Sequence, residues 1–195
     1  MYLKTTVKKQ GEDYLRFFTT RRLAVCGMTA AIYATLTILQ PYSDTPIQCR
    51  LSEVMNLLAF VNPVFAPGIV LGCFVANLFS SVNPLLDSVF GTAHTVCSMA
   101  LIVKCSKVFK SGKYICGLSA DEMNLLIASV WPMAGCVFIG LMFLLAEYIP
   151  RTVPSFITAT AFVMAGQFLA VTIIGFPLFL WLLRNKRVAA YLINF

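Results

Sequence analysis

Four apolar runs, each close to the length of a membrane span, leave this chain few choices of fold. They occupy residues 23–39, 85–103, about 124–146 and about 155–183. A bilayer core is crossed by roughly 20 helical residues. Lipid offers the backbone no hydrogen bonds, so a spanning segment must satisfy its own N–H and C=O groups, and runs of this length do so as helices. Two shorter runs lie between the first and second of these, at residues 54–61 and 67–79. The first ends at Asn62-Pro63 and the second at Ser80-Ser81-Val82-Asn83-Pro84. The expected fold is an all-α membrane protein, a bundle of six transmembrane helices in which helices 2 and 3 are short. Four spans plus a re-entrant hairpin is the alternative, and helix parity does not separate the two.

Composition supports this class. Of 195 residues 59% are hydrophobic and 12% charged, against about 25% charged in soluble domains. The net charge of +7 is a topology signal rather than a nucleic-acid patch. When residues 1–22, the 104–113 loop and the C-terminus share one side, that side holds 13 of the 15 Lys and Arg, leaving only Arg50 and Arg151 opposite. The positive-inside rule then puts both termini in the cytoplasm. The expected organisation is a cytoplasmic segment 1–22, a six-helix membrane domain 23–187 and a cytoplasmic tail 188–195. Residues 1–22 are too polar for a signal peptide, and the run that follows exceeds the usual apolar core of one. Seven cysteines without a C-x-x-C pair make no disulfide framework and no zinc site.

The acids fall unevenly on this topology. Asp44, Glu53, Asp87 and Glu147 all lie in outer loops or at outer span ends. An ionisable group at membrane depth is costly and marks a functional site, so a polar pocket open to the outside is expected. Span 4 supplies the clearest face. Asp87, Gly91, His94 and Ser98 recur at i, i+4, i+7 and i+11, one stripe of a helix, which must turn toward the bundle interior. His94 is the only histidine, which excludes a multi-His metal site; no metal and no cofactor are expected. No G-x-S-x-G, H-E-x-x-H or G-x-x-x-x-G-K-[ST] occurs, so the chain carries no P-loop for ATP hydrolysis. An enzyme built on Asp87, His94 and Glu53 lacks any nucleophile–base spacing. Ala30 and Ala34 in span 1 are spaced to let another membrane helix approach closely.

The strings Gln48-Cys49-Arg50-Leu51-Ser52-Glu53, Ala66-Pro67-Gly68, Leu71-Gly72-Cys73-Phe74-Val75-Ala76-Asn77-Leu78 and Leu85-Leu86-Asp87-Ser88-Val89-Phe90-Gly91-Thr92 resemble the QueT family densely across residues 48–92. Trp131-Pro132 and Gly166–Phe168 are weaker later matches. The resemblance implies an S component, the substrate-binding subunit of an energy-coupling factor (ECF) importer for queuosine precursors. These are 7-deazaguanines such as preQ0 and preQ1, or queuine. The implied partners are a transmembrane T component and two cytoplasmic ATPases, in the plasma membrane of a prokaryote. An S component for another micronutrient and a stand-alone secondary transporter are the alternatives. The candidate substrate-binding residues are Arg50, Glu53, Asn77, Asp87, Gly91, His94, Glu147 and Gln167. Ala30 and Ala34 are the candidate contacts to the T component. The chain departs from the family pattern at Gly135-Cys136, where Asn is frequent, and at Gly166-Gln167, where Gly-Glu is frequent. A neutral Gln bonds a purine-like edge but does not neutralise an aminomethyl cation.

Overall fold

A computed structural model describes residues 19–40, 49–80, 83–108, 120–185, 187, 188 and 192. Most of the expected cytoplasmic segment 1–22, Asp44, the loop lysines Lys110 and Lys113 and most of the tail 188–195 lie outside the described residues. Among those described, every regular element is helical. We number six helical segments: α1 Thr20–Ile38, α2 Leu51–Val61 and α3 Pro63–Asn77, α4 Pro84–Val108, α5 Glu122–Leu145 and α6 Val153–Arg184. The last three are long and apolar enough to cross a membrane. At 1.5 Å per residue the 19 residues of α1 rise about 28 Å. α2 and α3 are shorter apolar helices, as their run lengths foretell.

The segments run antiparallel. Val25 of α1 packs with Val64, Ile69, Ile102 and Ala128 in one core cluster. Leu86 and Phe90 at the start of α4 pack on Met142 and Phe143 near the end of α5. One end of the bundle therefore holds the ends of α1 and α3, the starts of α2 and α4 and the 145–153 connection, and the opposite end holds the start of α1 and the turn at Asn62. Large apolar side chains cover the outside: Leu23, Met28 and Ile32 on α1, Val89 and Val96 on α4, Ile157, Phe162 and Ile173 on α6 are all exposed. In water such a surface would aggregate; in lipid it is matched to its solvent.

α1 and α3 approach through small residues on both sides. A Cβ on Gly68 would lie 2.6 Å from the Cys26 carbonyl oxygen, and one on Gly72 2.7 Å from that of Ala30. Gly68 and Gly72 form a G-x-x-x-G face that meets Cys26, Thr29, Ala30 and Tyr33 of α1; Ala30 and Ala34 are both buried, at 8% and 7% exposure. Close backbone contact of this kind holds membrane helices together by dispersion, because the hydrophobic effect gives no such attraction in lipid.

Local rules set the breaks. Asn62 caps α3 by accepting from the Val64 N–H at 3.1 Å, with Pro63 at the first helical position. Thr152 caps α6 through the Ser155 N–H. α5 ends with Glu147 in the left-handed region (φ 57°). Tyr148 N–H donates to the Phe143 carbonyl and Glu147 N–H to that of Leu144, and the rings of Phe143 and Tyr148 stack at 5.8 Å. This is a Schellman stop with its apolar clasp. α5 breaks at Trp131-Pro132, and α6 widens to a π-helix over Phe168–Gly175. Pro177 just beyond lacks an N–H and crowds the carbonyl four residues back, inside the widened stretch.

Candidate functional site

The first turns of α2 build the site. Leu51–Leu57 is a 3-10 helix rather than an α-helix. Three residues per turn stack side chains at i, i+3 and i+6 in one column, whereas an α-helix would fan them over about 120°. The column that begins at the capping residue is Arg50, Glu53, Asn56, and all three are buried. The neighbouring column carries Val54 and Leu57, packed on Leu125, Ala170, Val171 and Phe179. The tight helix thus gathers one polar line inward while the next line seals it against α5 and α6.

Gln40 fixes where this column starts. Its amide nitrogen donates to the Cys49 carbonyl and its amide oxygen accepts from the Leu51 N–H at 2.8 Å. One side chain closes both hydrogen bonds a backbone strand would make, so Arg50 is presented at a defined angle. Thr37 donates to Ser52 at 2.7 Å and ties the same turn to α1.

Glu53 accepts hydrogen bonds on both oxygens. Tyr33 Oη donates to Oε1 at 2.7 Å, and the amide nitrogens of Asn56 and Gln167 both donate to Oε2, that of Gln167 at 3.1 Å. A buried carboxylate is tolerated when donors of this kind replace its water. Arg50 Nη1 donates to Asn77 Oδ1 at 2.8 Å, and Nη2 lies 3.8 Å from Asp87 Oδ2. Asn77 in turn donates to Cys73 Sγ at 3.3 Å, which also receives Thr95 Oγ1 at 3.1 Å. Asp87 Oδ1 and Asn56 Oδ1 have no hydrogen-bond partner among the described residues, although Asp87 is 1% exposed and Asn56 0%.

The candidates named from sequence fall into groups. Arg50, Glu53, Asn77, Asp87 and Gln167 come together in this buried network from four separate helices. Gly91 belongs to it by shape: a Cβ there would run into the Asn77 amide, so the missing side chain lets Asn77 lie against α4 in reach of Arg50. His94 is buried beside it but faces α5. Its Nε2 meets the Pro132 carbonyl at 3.1 Å; a carbonyl only accepts, so this nitrogen carries the proton. The whole Asp87–Gly91–His94–Ser98 stripe is buried, as its helical spacing requires. Glu147 stands apart, exposed in the turn after α5 and paired with Arg151 at 2.7 Å. A surface cleft beside it is lined by Leu141, Leu145, Arg151, Val153 and Phe156 and shares no residue with the network. Ala30 is buried in the chain's own α1–α3 seam, and Ala34 is buried too, so neither lies on a free face. Residues 27, 31 and 35 lie within the broader face that α1 leaves exposed.

Tyr33, Asn56 and Gln40 were not singled out by sequence. Asn56 stands three residues from Glu53, a spacing that signals nothing until the helix is known to be 3-10. Tyr33 is a single ring in an apolar run of a chain with 16 Phe and 7 Tyr, where one more carries no signal. No group of three or more His, Cys, Asp or Glu that could hold a metal occurs among the described residues.

Among known proteins, one named queuosine precursor transporter QueT, from Lactococcus lactis subsp. cremoris, is 31% identical over 94 residues, 47% of this chain and 54% of that protein. The similarity thus spans about half the length of the relative. No solved structure matches. The QueT transporter family matches residues 23–184, nearly the whole helical bundle including every residue of the buried network, and the chain is a membrane protein that belongs to this family.

Proposed function

We propose that this chain is the substrate-binding membrane subunit, the S component, of an ECF-type importer that takes up a queuosine precursor of the 7-deazaguanine class. One observation carries the reading. Arg50, Glu53, Asn77, Asp87 and Gly91, which carry the family's densest motifs, converge on a single buried polar network in a chain whose family match covers residues 23–184. Buried ionic groups in a membrane bundle are expensive and are kept where they bind something. A deazaguanine presents adjacent N–H donors, and the network is rich in acceptors.

The chain has no P-loop, so in this reading two cytoplasmic ATPases supply the energy through a T component. The bundle crosses the plasma membrane of a prokaryote six times, with α2 and α3 as short crossings and both termini cytoplasmic; the 13-to-2 split of basic residues supports this orientation. The membrane domain comprises residues 23–187, between cytoplasmic segments 1–22 and 188–195. Because Ala30 and Ala34 are buried, contact with a T component along α1 falls to the exposed stripe of Gly27, Ala31 and Thr35. Open space surrounds the point where a Cβ on Gly27 would stand, which leaves room there for a helix of another chain.

Calorimetric titration of the purified protein with preQ0, preQ1 and queuine tests the function. Saturable binding of at least one is expected, and no binding of any by folded, monodisperse protein would sink it. Co-purification with ATPase subunits separates an importer subunit from a stand-alone transporter.

A further inference from the structure

We infer that Asp87 Oδ1 and Asn56 Oδ1 are the two acceptors that take the N–H edge of the ligand, and that Glu53 is a positioning residue rather than a ligand contact. This rests on the reading of the buried network as the site of a 7-deazaguanine, and it assigns different work to the two carboxylates.

The assignment comes from counting donors. Glu53 receives three, with Tyr33 on one oxygen and Asn56 and Gln167 on the other. Three of the roughly four donors a carboxylate can accept are thus supplied within the chain. Among the described residues, the side chain of Asp87 has only the Arg50 guanidinium at 3.8 Å from Oδ2, longer than a hydrogen bond, and nothing on Oδ1. Buried polar atoms are nearly always bonded, and an exception calls for a reason. Asn56 is the second exception in the same network. Its amide nitrogen is spent on Glu53, and because a carboxylate only accepts, this bond decides which way the amide faces. Its oxygen is therefore the unsatisfied atom. Glu53 acts through Asn56 by fixing that oxygen as an acceptor unpaired among the described residues.

Two further buried oxygens without partners, Thr92 Oγ1 and Thr160 Oγ1, are hydroxyls. A hydroxyl donates as well as accepts and discriminates little. A carboxylate oxygen and a locked amide oxygen together offer acceptors only. They suit an edge carrying a ring N–H beside an exocyclic amine, and they reject a ligand that loses that amine, because a buried acceptor then stays unpaired.

Calorimetry with two probes tests this: 7-deazaguanine, and 7-deazahypoxanthine, which lacks the exocyclic amine. The unmodified protein is expected to prefer 7-deazaguanine at least tenfold. Asp87→Asn and Asn56→Leu should each reduce that preference to threefold or less. Glu53→Gln keeps an oxygen for the Asn56 amide and should preserve the ratio, even with both affinities lowered. Glu53→Leu releases the amide and should lose the ratio. The measurement on the unmodified protein stands even where a variant does not fold. Equal binding of the two probes by that protein overturns the inference while leaving a deazaguanine site intact. So does a preference that survives Asp87→Asn but is abolished by Glu53→Gln. Failure of the folded protein to bind either probe overturns the ligand class along with the inference.

Discussion

Two sets of oppositely charged side chains sit at the same end of this bundle, and they differ in almost everything but residue type. In the turn after α5, Glu147 and Arg151 meet at 2.7 Å with side chains 74% and 66% exposed. Under the column of α2, Arg50 and Asp87 are separated by 3.8 Å with side chains 6% and 1% exposed. The exposed pair has the better geometry and the smaller consequence, since water and side-chain entropy offset most of its attraction. The buried pair is longer, yet its loss would strand a charge away from water. Contact distance alone would rank them backwards.

The comparison can be broken most directly at its arginines. Arg50→Met should cost about 3–5 kcal/mol, the typical penalty for removing one member of a buried pair, and should abolish ligand binding. Arg151→Met should change stability by under about 0.5 kcal/mol. Thermal unfolding of both variants in the same detergent measures the contrast, and equal shifts would show that the two pairs are energetically alike.

A smaller effect is expected where Glu53 is held. Tyr33→Phe removes one hydrogen bond to a charged acceptor and should cost about 1.5–3 kcal/mol. An unfolding midpoint unchanged from that of the unmodified protein would mean that this hydrogen bond contributes no net stability. Gly91→Ala sharpens the shape argument. Its added Cβ must displace the Asn77 amide, with overpacking strain of about 1–3 kcal/mol and weaker binding through Arg50, whereas Ala at Gly27, which faces open space, should leave binding alone. Titration of the two alanine variants against the same ligand decides the point.

The smallest change belongs to the exposed turn. Glu147→Gly relieves a left-handed non-glycine residue, worth about 1 kcal/mol. It also gives up the surface pair and frees the unfolded chain. A net shift within about 1 kcal/mol of zero is expected in thermal unfolding, and loss of ligand binding would place Glu147 in the site after all.

These contrasts also explain what could be read without coordinates. The long apolar runs and the inward stripe of α4 were legible because their period is that of the ordinary α-helix. Glu53 and Asp87 were legible as costly acids near membrane depth. Glu147 passed the same filter, since sequence registers the chemistry of an acid but not whether the chain folds over it. Ala30 was correctly placed for close helix contact, but the partner side of that contact, Gly72, belongs to this same chain. Asn56 was invisible because a period of 3.0 in a short apolar run looks like noise when 3.6 is assumed. Gln40 was hidden for another reason: its work is done on backbone atoms, which leave no trace in side-chain patterns.

The 3-10 turns of α2 carry a consequence for how this segment can vary over evolutionary time. A point substitution at Leu51, which stands exposed, meets the outside of the bundle and is forgiving. A single-residue insertion or deletion between Arg50 and Asn56 is another matter, because it rotates everything beyond it by about a third of a turn. Glu53 or Asn56 would then turn away from the polar network, and Val54 or Met55 would enter it. Segment length should therefore be inherited more strictly than segment identity, so that related chains drift in the letters between these positions while keeping their count.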